Sequence, residues 1–212
     1  MTTEEVQAAP ELLVLAGGYA TRFGADKRVA RVSAQETLLG RTVAELRSTQ
    51  LPVTVCLAAR RSDDALAEAL LSTGVRVLRC RRADEGMGGT LAEAVAARQE
   101  APALIVALGD MPLVSAATVE TLLRHWSAGA IVLPVSSDGR RGHPVLFDRL
   151  YFAELRQLGG DRGGASIISR HREHCVTVPV DDPGIHLDAD TPAALEALRA
   201  QLASRSSSGV SG

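Results

Sequence analysis

The chain has 212 residues, 46% hydrophobic and 23% charged, the size and make-up of one globular domain able to bury a core. A formal net charge of −2 and 3% aromatic residues give no field to gather a polyanion and few platforms for stacking bases, which argues against nucleic acid as a partner. No apolar run approaches the roughly 18 residues of a membrane span, and the opening Met1-Thr2-Thr3-Glu4-Glu5 is acidic where a targeting segment is basic, so a cytoplasmic chain without membrane contact is expected.

The first apolar run, Leu12-Leu13-Val14-Leu15-Ala16, ends in Gly17-Gly18 and predicts a strand buried on both faces. Further strands are predicted at 53–57, 75–78, 103–108 and 130–135. Helical spacing falls between them: Leu38, Leu39, Val43 and Leu46; Leu66, Ala69 and Leu70 behind Ser62; Leu91 and Val95; Val119, Leu122 and Trp126 behind Ser115. Ser62 and Ser115 are the expected helix N-caps. Beyond residue 136 come a short strand at 144–147, helices near 149–158 and 165–172, and a strand at 175–180. A last helix is marked by Thr191 as N-cap and Pro192 at its first turn. Strands alternating with helices predict an α/β fold: one domain, three layers, a Rossmann-like and mostly parallel sheet with helices on both faces. The domain is expected to span residues 1–203, with the small, polar tail 204–212 disordered.

In such a sheet the ligand crevice lies beyond the carboxyl ends of the strands. The first strand exits into Leu15-Ala16-Gly17-Gly18-Tyr19-Ala20-Thr21-Arg22-Phe23-Gly24-Ala25-Asp26-Lys27. Glycines let backbone N–H groups converge on an anion, and Arg22 and Lys27 add positive charge, so the loop reads as a phosphate cradle. It is neither a Walker A nor a G-x-G-x-x-G loop. Lys27 is the single lysine beside 22 arginines, a compact ammonium retained where everything else is guanidinium. The fourth strand exits into Gly109-Asp110, a carboxylate that a divalent cation would satisfy. In the extended segment 188–190, Asp188 and Asp190 point to one side. Asp190 adjoins the helix start and reads as cap support, which leaves Asp188 as the second metal ligand.

Three groups read more blandly. Cys56, Cys80 and Cys175 are odd in number and far apart, and read as reduced thiols. The spacing of His171, His174 and Cys175 straddles a helix end without a fourth ligand, so zinc is set aside there. Arg79-Cys80-Arg81-Arg82 reads as a solvated strand end, with contact to phosphates as the alternative because it leads into the Gly86 loop.

The loop pattern L-A-G-G-x-x-x-R-x-G-x-x-K, with Gly86-Met87-Gly88-Gly89-Thr90, Gly109-Asp110-Met111-Pro112, Arg141-Gly142-His143-Pro144, Gly160-Asp161-Arg162-Gly163-Gly164-Ala165 and Asp188-Ala189-Asp190-Thr191-Pro192, resembles the MobA-like nucleotidyltransferases, the molybdenum cofactor cytidylyltransferases above all. That resemblance implies a nucleotide-diphospho-sugar transferase-like fold. It also implies transfer of a nucleoside monophosphate from CTP to the terminal phosphate of a molybdopterin acceptor, with release of pyrophosphate. The family's nucleotide-binding positions fall on Leu15, Ala16, Gly17, Gly18, Arg22, Lys27, Gly86, Gly88 and Thr90, and its catalytic ones on Lys27, Arg22 and Asp110. Magnesium would sit on Asp110 and Asp188, the acceptor would meet Arg141, His143, Asp161 and Arg162, and a molybdoenzyme would be the client. Leu15-Ala16-Gly17-Gly18 is the form commoner among guanylyltransferases, whereas Ala59-Arg60 and the Gly86 turn depart from theirs. CTP is favoured, with GTP or another phosphorylated acceptor as same-class alternatives and a non-catalytic cofactor carrier as a different one.

Overall fold

A computed structural model describes residues 8–18 and 26–208, with side chains to residue 205. Its strands are β1 (Glu11–Leu15), β2 (Val53–Ala58), β3 (Arg76–Cys80), β4 (Ala103–Leu108), β5 (Ile131–Val135), β6 (Val145–Asp148) and β7 (Cys175–Pro179). They form one sheet in the order β3-β2-β1-β4-β6-β5-β7. All pairings are parallel except those of β6, which runs antiparallel to both β4 and β5. β2 and β4 are buried almost along their whole length, as continuous apolar runs in a doubly covered sheet should be.

Helices cover both faces. On one, α1 (Leu38–Arg47), α2 (Asp64–Leu71) and α4 (Ala116–Arg124) lay Leu39, Val43, Leu46, Leu70, Val119 and Leu122 on Leu12, Val14, Val55 and Ile105. On the other, α3 (Met87–Ala97), α5 (Phe152–Leu155) and α6 (Ala165–Arg170) pack Leu91, Val95, Leu155 and Ile167 on Leu13, Cys56, Leu104 and Val106. The predicted three layers are therefore present, and no helix of the described residues is long and apolar enough to cross a membrane.

A third, smaller cluster positions the site. Val32, Leu38, Leu113, Ala189, Leu195 and Leu198 bury the inner side of α7 (Pro192–Ser208) and clamp the segment that precedes it. Thr191 caps α7 as predicted, its Oγ1 accepting from the Ala194 amide at 3.1 Å. The helix runs five residues past 203, and Arg205 donates to the Leu113 carbonyl at 2.9 Å. The first part of the predicted tail is thus helical; 209–212 fall outside the described residues.

Ser115 caps α4 as predicted, and Asp182 accepts from both its amide and its hydroxyl. The prediction for α2 is corrected. Ser62 does not cap it, and Asp63, at the N-cap position, makes no capping bond because its carboxylate is committed elsewhere.

Candidate active site

Sheet order reverses between β1 and β4, so the loops after these two neighbouring strands diverge and leave a crevice above their carboxyl ends. Gly109 allows the close approach: a Cβ there would lie 2.9 Å from Leu39 Cδ1 and 3.0 Å from the Ala16 Cβ. A cavity of about 310 Å3 opens at this point, lined by Leu15, Ala16, Gly17, Gly18, Lys27 and Asp110 among others. The predicted backbone cradle is therefore a wall of a real cavity. Arg22, within 19–25, lies outside the described residues.

Lys27 Nζ donates to Asp110 Oδ2 at 2.6 Å and to Asp190 Oδ1 at 2.8 Å. Burial works against the ammonium, but the two carboxylates outweigh it and raise its pKa above the ordinary lysine value, so it stays protonated. Asp190 is thereby reassigned. It reaches the lysine, while Thr191 alone caps α7. Asp188 sits in the field of the same group, its pKa raised by burial and then by the charges of Asp190 and Asp110. Strand-like alternation explains the arrangement. Ala189 is fully buried in the α7 cluster, and its amide donates to the Asp110 carbonyl at 3.2 Å, which turns its two neighbours outward; Asp190 lines the cavity, whereas Asp188 is exposed within electrostatic reach of the group and is not part of the cavity wall.

Sequence reasoning missed what holds Lys27 in place. Arg28 is 5% exposed and binds Asp63, 0% exposed, through both terminal nitrogens at 2.7 and 2.8 Å. It also binds Asp26 and donates to the Ala16 carbonyl at 3.0 Å. This buried network ties the cradle's far end to β1 and to the start of α2. In sequence Asp63 stands between Ser62 and Asp64 at a helix start and carries no local sign of this role; its complete burial and its bonds to Arg28 reveal it.

The turn before α3 divides. Thr90 and Met87 line the cavity, and a Cβ on Gly17 would meet Thr90 Oγ1 at 2.9 Å. Gly86 and Gly88, expected to hold nucleotide, do not line it. They let the chain pack against the 159–162 loop: a Cβ on Gly88 would lie 2.7 Å from the Arg162 and Gly159 carbonyl oxygens, and Gly86 has φ of +106°.

A second cavity of about 290 Å3 adjoins the first, sharing Leu15, Met87 and Leu108 as walls. Arg141 and His143 line it, beside Val145, Phe147 and Ile168. Asp161 and Arg162, predicted with them, are exposed and do not line it, because the loop that carries them packs against Gly86 and Gly88 instead. His143 is not a solvated rim residue. Burial holds its pKa below the ordinary histidine value, with Asp110 pulling the other way, and its Nδ1 is buried without a hydrogen-bond partner.

The sequence matches the model of the MobA-like NTP transferase domain over residues 12–176. The chain belongs to that family. This transferase also resembles solved structures. Rv0371c from Mycobacterium tuberculosis H37Rv is 27% identical over 92% of the chain and 99% of its own, with a TM-score of 0.80; it has also been solved in complex with manganese. Mth528, a nucleotidyl transferase from Methanothermobacter thermautotroptrophicus, is 19% identical over 93% and 99%, with a TM-score of 0.79. CMP:2-keto-3-deoxy-manno-octonic acid synthetase, complexed with CTP, is 17% identical over 93% and 100%, with a TM-score of 0.69. The last two share the fold. No curated protein matches the sequence. Nucleotidyl transfer is the chemistry of this transferase, and the crevice between β1 and β4 is where its groups converge.

Proposed function

We propose that this transferase moves a nucleoside monophosphate from CTP onto the terminal phosphate of molybdopterin and releases pyrophosphate. The observation that carries this reading is the pair of adjoining cavities with Lys27 and Asp110 on the first and Arg141 and His143 on the second. The first suits a nucleoside triphosphate, whose phosphates would meet the Ala16–Gly18 backbone and Lys27. Arg22 is assigned to the same phosphates on sequence alone. The second is sized for a compact acceptor, with a guanidinium suited to an anionic end.

No protein nucleophile is required, since the attacking phosphate is already anionic and the enzyme has only to align it and to stabilise the charge on the departing pyrophosphate. Lys27 does the latter, held protonated by its carboxylate neighbours. The residues fit magnesium: Asp110 and Asp188 offer hard oxygen ligands, and Asp188 has too few positive neighbours to balance the negative charge around it. Magnesium there would neutralise phosphate charge and orient the triphosphate. A molybdoenzyme would receive the product. That CMP:2-keto-3-deoxy-manno-octonic acid synthetase was solved with CTP supports a cytidine nucleotide; the Leu15-Ala16-Gly17-Gly18 wording keeps GTP as the second reading.

Pyrophosphate release measured with CTP, GTP, ATP and UTP, each with and without molybdopterin, tests the proposal. CTP with molybdopterin should be the fastest pair. Turnover of GTP alone with molybdopterin moves the assignment to guanylyl transfer, and tight binding of molybdopterin without turnover of any nucleotide makes the chain a carrier.

A further inference from the structure

Away from the crevice, His171, Glu173 and His174 bring one ligand atom each to within 4.8 Å of one another. They occupy the turn between α6 and β7. Because β7 runs parallel to β5, that turn lies at the amino end of the sheet, opposite the Lys27 site. The ring of His171 is oriented from behind: Glu154 Oε1 pairs with its Nε2 at 2.7 Å, and Tyr151 packs against it with ring centroids 5.1 Å apart. A ring that donates Nε2–H to a carboxylate carries its lone pair on Nδ1, the arrangement by which supporting carboxylates prepare histidines for metals. His174 stacks on His171 at 13° between ring planes, and the backbone bond from the His174 amide to the His171 carbonyl, 3.0 Å, fixes the turn that brings them together.

We propose that His171, Glu173 and His174 form a binding site for a divalent transition metal of the zinc type, with Glu154 as the residue that positions His171. Two imidazoles and one carboxylate match borderline cations and not magnesium, which prefers an all-oxygen shell. Three protein ligands leave a coordination position to solvent. The sequence spacing argues against zinc for want of a fourth ligand; what it does not show is Glu154, seventeen residues before His171 and brought to it by the fold. The metal would fasten the end of α6 to the start of β7, and α6 supplies Ala165, Ile168 and Ser169 as one wall of the second cavity.

The test is equilibrium dialysis of the purified full chain against Zn2+, with millimolar Mg2+ present to occupy the carboxylate site at Asp110. One zinc per chain is expected at micromolar free metal, with a rise in unfolding temperature as zinc is added. His174→Ala and Glu173→Gln, both at exposed positions, should each remove that zinc while leaving Mg2+-supported nucleotidyl transfer unchanged. Glu154→Gln should raise the zinc Kd by about 10–100-fold. Failure of the wild-type chain to bind zinc at micromolar concentration, or retention of the bound zinc in both His174→Ala and Glu173→Gln, overturns the site. An unchanged Kd in Glu154→Gln overturns the positioning role.

Discussion

Lys27 is one residue in a sequence of arginines, and its setting shows why an arginine would not serve. Two carboxylates grip one nitrogen at 2.6 and 2.8 Å, a convergence that suits a compact ammonium and not a planar fork. Lys27→Arg should therefore lose activity as Lys27→Ala does, with circular dichroism unchanged in both. Its neighbour Arg28 has the opposite role. Removing Asp63 would leave that guanidinium buried without its fully enclosed partner, and Asp63→Ala should destabilise the fold by about 3–5 kcal/mol in urea unfolding. Asp26 adds a pH signature. Burial pushes its carboxyl up, but the hydrogen bonds and charge of Arg28 push harder, and the net pKa is lowered. A carboxylate with a lowered folded pKa stabilises the protein above its unfolded value, about 3.9, and loses that contribution as pH falls through the folded value. The stability difference between wild type and Asp26→Asn, followed from pH 6 downward, should hold to about pH 4 and then shrink. A difference that grows below pH 4 would reverse the sign argued for this group.

At the scale of elements, the site depends on short segments held by backbone contact. The turn at Pro183–His186 packs so closely that a Cβ on Gly184 would lie 2.2 Å from the Leu113 carbonyl oxygen. Gly184→Ala must shift this turn and with it the segment carrying Asp188 and Asp190. Thermal unfolding should report a loss of about 1–3 kcal/mol, and kcat should fall with it; a variant of full stability and full activity would show that the segment is not set by this contact. Elements were legible in sequence where one physical signal dominated. The five apolar runs became strands within a residue or two, and Ser115 and Thr191 cap where their hydroxyls predicted. Glycine was legible only as a need for closeness, without its partner. Hence Gly17 and Gly18 do face the cavity, whereas Gly86 and Gly88 accommodate the 159–162 loop. Asp190 was misread for a related reason: its proximity to the helix start is a local fact, and its bond to Lys27 spans 163 positions.

For the molecule as a whole, the sheet explains why chemistry-bearing residues so far apart in the chain meet. β1 and β4 are sequence-distant neighbours at the centre of the order, and everything that follows a strand's carboxyl end arrives at the same edge. The antiparallel β6 is the departure. The stretch 144–147, opening on a proline, reads as a strand but carries no sign of direction; the reversal brings Arg141 and His143 to the carboxyl end of β4 beside the first cavity. The alternation of strands and helices was thus enough for the class of fold and for the first cavity, and insufficient for the second. A single-turnover experiment addresses the central claim, that the lysine held by Asp110 and Asp190 stabilises the departing pyrophosphate. With CTP and molybdopterin preloaded and Mg2+ added to start the reaction, Lys27→Ala should form product about a hundred- to a thousandfold more slowly than wild type. Equal rates in the two proteins would contradict it.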